Sequence, residues 1–150
     1  MIDTVLIVCE GNLCRSPIAQ GLLQRELTDV VIRSAGLSAT KGASIDPIAL
    51  ELLALKGIDM SEQRARRIDE RMCSTADLIL VMELAQKQAI ERFYPIARGR
   101  VYRMAEAERM DVPDPYGRQR RVYEQAITLI ERGVGDWTQR IVDLSRSRRS

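Results

Sequence analysis

Histidine is missing from this sequence of 150 residues. Its absence excludes Ser-His-Asp and Cys-His catalysis, and it excludes any zinc site that depends on imidazole ligands. A nucleophile in this chain must therefore be activated by nearby positive charge, by backbone amides or by hydroxyl groups.

Cysteine is scarce, and the three that occur (Cys9, Cys14 and Cys73) show no framework spacing. An odd number of cysteines fits reduced thiols better than a set of disulfides, so we expect a cytoplasmic protein. The three thiols offer no fourth ligand for a metal. We expect neither a metal nor a cofactor.

Long apolar runs and a strong net charge are also lacking. No segment approaches the roughly 20 apolar residues of a membrane span, so we expect no membrane insertion. Asp3 lies inside a strand-like N-terminal segment, which does not resemble a secretory leader. The net charge is only +2, which gives no reason to expect nucleic-acid binding.

Strand-like and helix-like segments alternate along the chain. We predict strands over residues 4–9, 30–35, 77–81 and 100–104. We predict helices over residues 17–27, 46–56, 69–74, 83–93 and 120–144, with a short one starting at Ser61 and an interruption near Gly133 and Gly135. This order predicts an α/β fold, a three-layer α/β/α domain over residues 1–150 with a four-stranded parallel sheet.

The loop between the first strand and the first helix, Cys9–Ser16, is where a parallel sheet would bind a ligand. Ser16 is the predicted N-cap and Pro17 the first helical residue, so the helix directs unpaired N–H groups at this loop. Such a helix start attracts anions. Gly11 and Asn12 tolerate the left-handed backbone of an anion-binding turn. The loop is therefore predicted to bind a phosphate group.

Cys9 and Arg15 are the reactive side chains of this loop. The planar guanidinium of Arg15 can hold two phosphate oxygens, which a lysine could not do. Arginine and helix start together favour the thiolate form of Cys9, and Ser16 can donate a hydrogen bond to its sulfur. The alternative interpretation of Cys9 is a buried core thiol at the end of a strand.

A second loop, Asp111–Gly117, supplies carboxylates between two prolines. Asp114, which stands between Pro113 and Pro115, has the more constrained backbone of the two aspartates. It is our candidate acid for protonating a leaving oxygen. The alternative is a solvated turn without a chemical role.

The segment VCEGNLCRSP at residues 8–17 resembles the low-molecular-weight protein tyrosine phosphatase family, whose pattern is V-C-x-G-N-[IL]-C-R-S-P. Further matches in the family's order are SAG at residues 34–36, DP at 46–47, DLILVM at 77–82 and PDPY at 113–116. The resemblance covers nearly the whole chain. It is closest to the bacterial branch that acts on tyrosine autokinases in exopolysaccharide export.

The resemblance implies a role for each loop residue. Cys9 would form a phosphocysteine, Arg15 would clamp the phosphoryl group, and Asp114 would act as general acid and then as general base. The remaining substrate-binding residues would be Glu10, Gly11, Asn12, Leu13, Cys14, Ser16 and Tyr116. The expected partner is a tyrosine-phosphorylated protein, such as a membrane tyrosine autokinase, and the expected state is a monomer.

Three positions depart from the family pattern. Glu10 places a carboxylate in the loop, and we expect it to point outward, because an inward carboxylate would repel phosphate. Gly117 stands where the animal enzymes have a second tyrosine, and residues 38–44 lack an aromatic side chain. These positions leave the peptide preference open.

Other functions occur on folds that resemble this one, and the sequence favours none of them over phosphotyrosine hydrolysis. Thiol-coupled arsenate reduction needs further cysteines, and only Cys73 follows the loop. Protein arginine phosphatases carry threonine at the position of Leu13, whereas an apolar residue suits a phenyl ring. An idle phosphoprotein-binding adaptor would be expected to lack a catalytic residue.

Cys14 has two possible roles that the sequence does not separate. It can form a reversible disulfide with Cys9 under oxidation, or it can simply pack beneath the loop.

Overall fold

A computed structural model describes the backbone of residues 1–149 and the side chains of residues 1–146. Its strands are β1 (Thr4–Cys9), β2 (Val31–Gly36), β3 (Leu78–Val81) and β4 (Val101–Arg103). They form one sheet in the order β2-β1-β3-β4, and every neighbouring pair is parallel. The predicted four-stranded parallel sheet is confirmed, with each strand within two residues of its expected bounds.

Strand β1 lies in the middle of the sheet and contributes to a core on each face. Val5 and Ile7 belong to one hydrophobic core, whereas Leu6 and Val8 belong to the other. Successive side chains of a strand point to opposite faces. A strand covered on both sides therefore needs apolar residues at every position, which explains its unbroken apolar run.

Five helices cover the two faces: α1 (Arg15–Glu26), α2 (Pro47–Ala54), α3 (Glu70–Thr75), α4 (Leu84–Phe93) and α5 (Arg120–Arg149). The core that includes Val5 and Ile7 also includes Ile18 of α1 and Ile130 of α5. The opposite core includes Cys73 of α3 and Ile90 of α4. The α/β/α layering is thus as predicted. Within the part of the chain that the structure describes, no helix is both long and apolar enough to cross a bilayer.

Helix α1 begins two residues earlier than predicted. Its first residue is Arg15, and the N-cap is Cys14, which makes no side-chain capping bond. The prediction of Ser16 as N-cap is wrong, because the Ser16 hydroxyl is used elsewhere in the loop. In contrast, Asp46 caps α2 as expected, since its carboxylate accepts a hydrogen bond from the amide of Ile48.

The short helix predicted at Ser61 does not form. Residues 61–67 contain no helical turn, and Arg64 and Arg67 instead form isolated bridges with Ser44 and Gly36. The backbone groups of this segment bond to the loop after β2, including Gly36 N–H to the Arg66 carbonyl at 2.8 Å. These long-range bonds replace the intrahelical bonds that the local sequence favoured.

Helix α5 is continuous, so the interruption predicted at its glycines is wrong. A Cβ on Gly133 would collide with the carbonyl oxygen of Met104. Glycine at this position lets the helix backbone pack directly against the turn that follows β4. The neighbouring Trp137 donates its indole N–H to the carbonyls of Arg103 and Met104, both at 3.2 Å.

Candidate active site

The Cys9–Ser16 loop connects the carboxyl end of β1 to the start of α1, as predicted. The end of β2 approaches it so closely that a Cβ on Gly36 would lie 2.7 Å from the Glu10 carbonyl oxygen and 2.8 Å from the Asn12 nitrogen. Only glycine fits at this contact. Of the two residues predicted to tolerate a left-handed backbone, Asn12 adopts it, with φ of 55°, and Gly11 does not.

Asn12 holds the loop from beneath through three hydrogen bonds. Its amide group donates to Ser16 Oγ at 2.7 Å and to Ser34 Oγ at 2.9 Å. Its carbonyl oxygen accepts the backbone N–H of Arg66 at 2.9 Å. Because Asn12 and Ser16 are fully buried, their side chains position the loop rather than line its cavity.

The nucleophile candidate contacts a hydroxyl group. Cys9 Sγ lies 2.9 Å from Ser16 Oγ. Since Ser16 already accepts a hydrogen bond from Asn12, its own proton is free to point at the sulfur. This hydrogen bond stabilises negative charge on the sulfur, which is the form that attacks phosphorus.

Arg15 is 1% exposed and is held in place by two elements distant in sequence. Its Nη1 donates to Glu83 Oε2 at 2.5 Å and to the Val112 carbonyl at 2.8 Å. Its Nη2 lies 3.7 Å from Asp114 Oδ2. A buried guanidinium needs such partners, and here they also fix the plane of its fork.

Asp114 is 100 residues from Cys14 in sequence, but its Oδ1 lies 3.8 Å from Cys14 Sγ. The same oxygen accepts the backbone N–H of Tyr116 at 3.1 Å, so the residue does form the turn that the alternative interpretation proposed. The turn and the site are compatible, because the turn is what presents the carboxylate to Arg15 and Cys14. Asp111 points elsewhere and bonds to the Leu84 amide and to Arg103.

These groups meet in a cavity of about 210 Å³. It is lined by Cys9, Glu10, Gly11, Leu13, Cys14, Arg15, Asp114 and Tyr116. A larger cavity of about 650 Å³ lies at the opposite edge of the sheet and contains no cysteine. The smaller cavity is the candidate active site, because a thiol, a guanidinium and a carboxylate line it together.

The other two cysteines are poor nucleophiles. Burial, followed by the neighbouring Cys9 and Asp114 charges, raises the pKa of the Cys14 thiol to about 12. Burial likewise raises the pKa of Cys73 to about 11. Both therefore remain protonated at neutral pH. Cys73 also belongs to the core on the other face of the sheet from Cys9 and Cys14, so the three thiols share no site.

A comparison with known protein families matches residues 4–147 to the low molecular weight phosphotyrosine protein phosphatase family. The chain belongs to this family. A relative from Ralstonia nicotianae, named probable low molecular weight protein-tyrosine-phosphatase EpsP, is 48% identical over 141 residues, which are 94% of this chain and 97% of the relative.

Solved structures of phosphatases share the fold over nearly their full length. Vibrio vulnificus Wzb in complex with benzylphosphonate is 30% identical, with a TM-score of 0.90 over 93% of this chain and 99% of that one. The YwlE arginine phosphatase from Geobacillus stearothermophilus is 27% identical, with a TM-score of 0.91 over 97% of this chain and 96% of that one. The backbone alone therefore does not separate tyrosine from arginine phosphatases.

Sequence reasoning missed the partners that orient this phosphatase loop. The sequence pattern places Glu83 only at the start of a helix, whereas the structure makes it the nearer of two ion-pair partners of Arg15, the other being Asp114. Its position directly after a buried parallel strand was a usable signal, because such strand ends share one edge of the sheet. Ser34 stands in the SAG match, but its role was not predicted: it joins Asn12 to Gln20 through hydrogen bonds of 2.9 and 2.5 Å.

We expect Glu83→Gln to lower kcat/KM for a phosphotyrosine peptide by about 10-fold, because a charge-assisted bond to the buried Arg15 is lost. Glutamine has the same shape and keeps an acceptor oxygen, so the change tests the charge alone. Competitive inhibition by inorganic phosphate should weaken in parallel, since the same guanidinium binds it. Steady-state kinetics with phosphate as inhibitor measure both effects.

Asp111→Asn is the matched control, because that carboxylate lies nearby but bonds to Arg103 rather than Arg15. Unchanged phosphate inhibition in Glu83→Gln, or an equal loss in Asp111→Asn, would show that Glu83 does not orient Arg15.

Proposed function

We propose that this phosphatase hydrolyses phosphotyrosine in proteins through a phosphocysteine intermediate. The observation that carries the proposal is the single cavity that gathers Cys9, Arg15 and Asp114 at the N-terminal end of α1. A thiol at a helix start, beside a guanidinium and facing a carboxylic acid, suits transfer of a phosphoryl group to sulfur and then to water.

In the first step, the thiolate of Cys9 attacks phosphorus and the bond from phosphorus to the phenolic oxygen breaks. Asp114, in its protonated form, gives its proton to that oxygen, so tyrosine leaves as a neutral phenol. Arg15 and the amides at the start of α1 stabilise the charge on the three phosphoryl oxygens.

In the second step, the Asp114 carboxylate removes a proton from water as the water oxygen attacks phosphorus. The sulfur–phosphorus bond breaks, and inorganic phosphate forms. The thiolate returns with the hydrogen bond from Ser16, which stabilises it as a leaving group. Asp114 ends protonated, ready for the next substrate.

The walls of the cavity support a phenyl ring as the substrate group. Leu13 lines the cavity from the Cys9–Ser16 loop, and Tyr116 lines it from the loop that carries Asp114. Tyr116 is 60% exposed. The aliphatic Leu13 favours packing with a phenyl ring over contact with a charged guanidino group, and Tyr116 can stack with the ring. The structurally similar Wzb was solved with benzylphosphonate, which also joins a phenyl group to a phosphorus acid.

An arginine phosphatase is the second candidate, because the YwlE arginine phosphatase superposes as well as the tyrosine phosphatases. The apolar Leu13 argues against it, as the resemblance predicted threonine there for arginine phosphatases. Arsenate reduction is less supported, since Cys73 lies on the other face of the sheet from Cys9.

For its cellular role, we propose a monomer in the cytoplasm that acts on a tyrosine autokinase of exopolysaccharide synthesis. Family resemblance supports this partner, through relatives named EpsP and Wzb. The catalytic need for a reduced Cys9 supports a compartment that keeps thiols reduced.

The deciding experiment is phosphate release by the wild-type protein, in EDTA, from a phosphotyrosine peptide and a matched phosphoarginine peptide. We expect kcat/KM for phosphotyrosine to be higher by about 100-fold or more, because the apolar Leu13 in the cavity wall suits a phenyl ring better than a guanidino group. Faster release from phosphoarginine would replace the proposal with the second candidate. Release from neither would reject both.

A further inference from the structure

The phosphate loop carries one carboxylate, that of Glu10, at the wall of the cavity. The side chain is exposed, and its Oε2 accepts a hydrogen bond from Ser38 Oγ at 2.5 Å. The backbone N–H of Ser38 also donates to the Glu10 carbonyl at 3.0 Å. The hydrogen bond to Ser38 therefore holds an exposed carboxylate in a defined position.

Glu10 remains an uncompensated negative charge. No arginine or lysine side chain among residues 1–146 forms an ion pair with it. A loop that only had to bind a phosphate dianion would gain nothing from this charge, because like charges repel. Because Glu10 lines the cavity and is exposed, its carboxylate can interact with peptide residues that flank a phosphotyrosine bound there.

We propose that Glu10 is a specificity-determining residue, which favours phosphotyrosine flanked by lysine or arginine and disfavours phosphotyrosine flanked by aspartate or glutamate. The inference rests on the proposed function and adds the class of peptide that the site prefers. Exposed charge pairs contribute about 0.2–1 kcal/mol, so one flanking charge changes kcat/KM by about 1.5- to 5-fold.

Other charges near the loop act in the opposite direction. Arg66 and Arg67 are exposed, and the backbone of Arg66 bonds to Asn12. These arginines attract acidic peptides in general. The preference of the wild type alone therefore does not isolate the effect of Glu10. The test must compare the peptide preference of the wild type with that of a Glu10 variant.

The experiment measures kcat/KM for two peptides with one phosphotyrosine, identical except that the flanking residues are lysine in one and glutamate in the other. The readout is the lysine-to-glutamate ratio of kcat/KM for wild type, Glu10→Gln and Ser38→Ala, with p-nitrophenyl phosphate as a substrate without flanking residues. Glu70→Gln is the matched control, because Glu70 is an exposed glutamate in α3 that does not line the cavity.

We expect Glu10→Gln to lower the ratio by about 3-fold, Ser38→Ala to lower it less, and Glu70→Gln to leave it unchanged. Added salt should shrink the difference between wild type and Glu10→Gln, because exposed charges are screened. A ratio that is the same in wild type and Glu10→Gln would overturn the inference, as would an equal decrease in Glu70→Gln. If no phosphotyrosine peptide and no p-nitrophenyl phosphate is hydrolysed, the proposed function fails as well; turnover with an unchanged ratio removes this inference alone.

Discussion

Cys9→Ser is expected to release no measurable phosphate from a phosphotyrosine peptide, a loss of about 10⁴-fold or more in kcat. A serine hydroxyl at this position stays protonated, because a hydroxyl is far less acidic than a thiol and the sequence contains no histidine to take its proton. Cys14 cannot take over, since its pKa of about 12 keeps it a neutral thiol at neutral pH. Single-turnover assays would show whether any covalent phosphoenzyme still forms.

The binding half of the site should survive in this variant. Arg15 keeps its bonds to Glu83 and Val112, and the α1 amides are unaffected. Cys9→Ser should therefore bind a phosphotyrosine peptide with a dissociation constant of the same order as the wild-type KM. Calorimetry measures this dissociation constant. Cys73→Ala controls for the loss of a buried thiol and should keep its activity. Residual turnover in Cys9→Ser close to the wild-type rate would remove Cys9 as nucleophile.

Asp114→Asn should have the second largest effect, a fall in kcat of about 10²- to 10⁴-fold on a phosphotyrosine peptide. Asparagine keeps the bond that shapes the turn, because its amide oxygen can still accept the Tyr116 N–H. It cannot give a proton to the leaving oxygen, and the pKa of a tyrosine phenol is about 10, so the phenolate is a poor leaving group.

The loss should depend on the leaving group. p-Nitrophenolate is a weaker base than the tyrosine phenolate and leaves without protonation, so Asp114→Asn should lower kcat/KM less for p-nitrophenyl phosphate than for the peptide. The parameter compared is kcat/KM, because it reports the first step and not the hydrolysis of phosphocysteine that both substrates share. Asp111→Asn, in the same loop but bonded to Arg103, should behave as wild type on both substrates. Equal losses in kcat/KM on the two substrates would argue that Asp114 shapes the loop and does not act as an acid.

Most of the fold was readable from local patterns. The apolar run at residues 4–9 and the Asp46-Pro47 start of α2 need only a few neighbouring residues to be recognised. The errors came where tertiary contacts outweighed local preference. Residues 61–67 form long-range backbone bonds with the loop after β2 and not the predicted helix. Gly133 does not break α5, and its lack of a Cβ allows the helix to pack closely against Met104.

The candidate site divides in the same way. The sequence alone determined the Cys9–Arg15 loop, because its chemistry lies within one turn between a strand and a helix, and it ranked Asp114 above Asp111. Only the tertiary structure brought Asp114 to the cavity, paired Arg15 with Glu83 and placed the Arg66 amide on Asn12. The physical reason is that a strand, a helix start and a tight turn depend on neighbouring residues. The partner of a buried charge is instead set by which strand ends meet at one edge of the sheet.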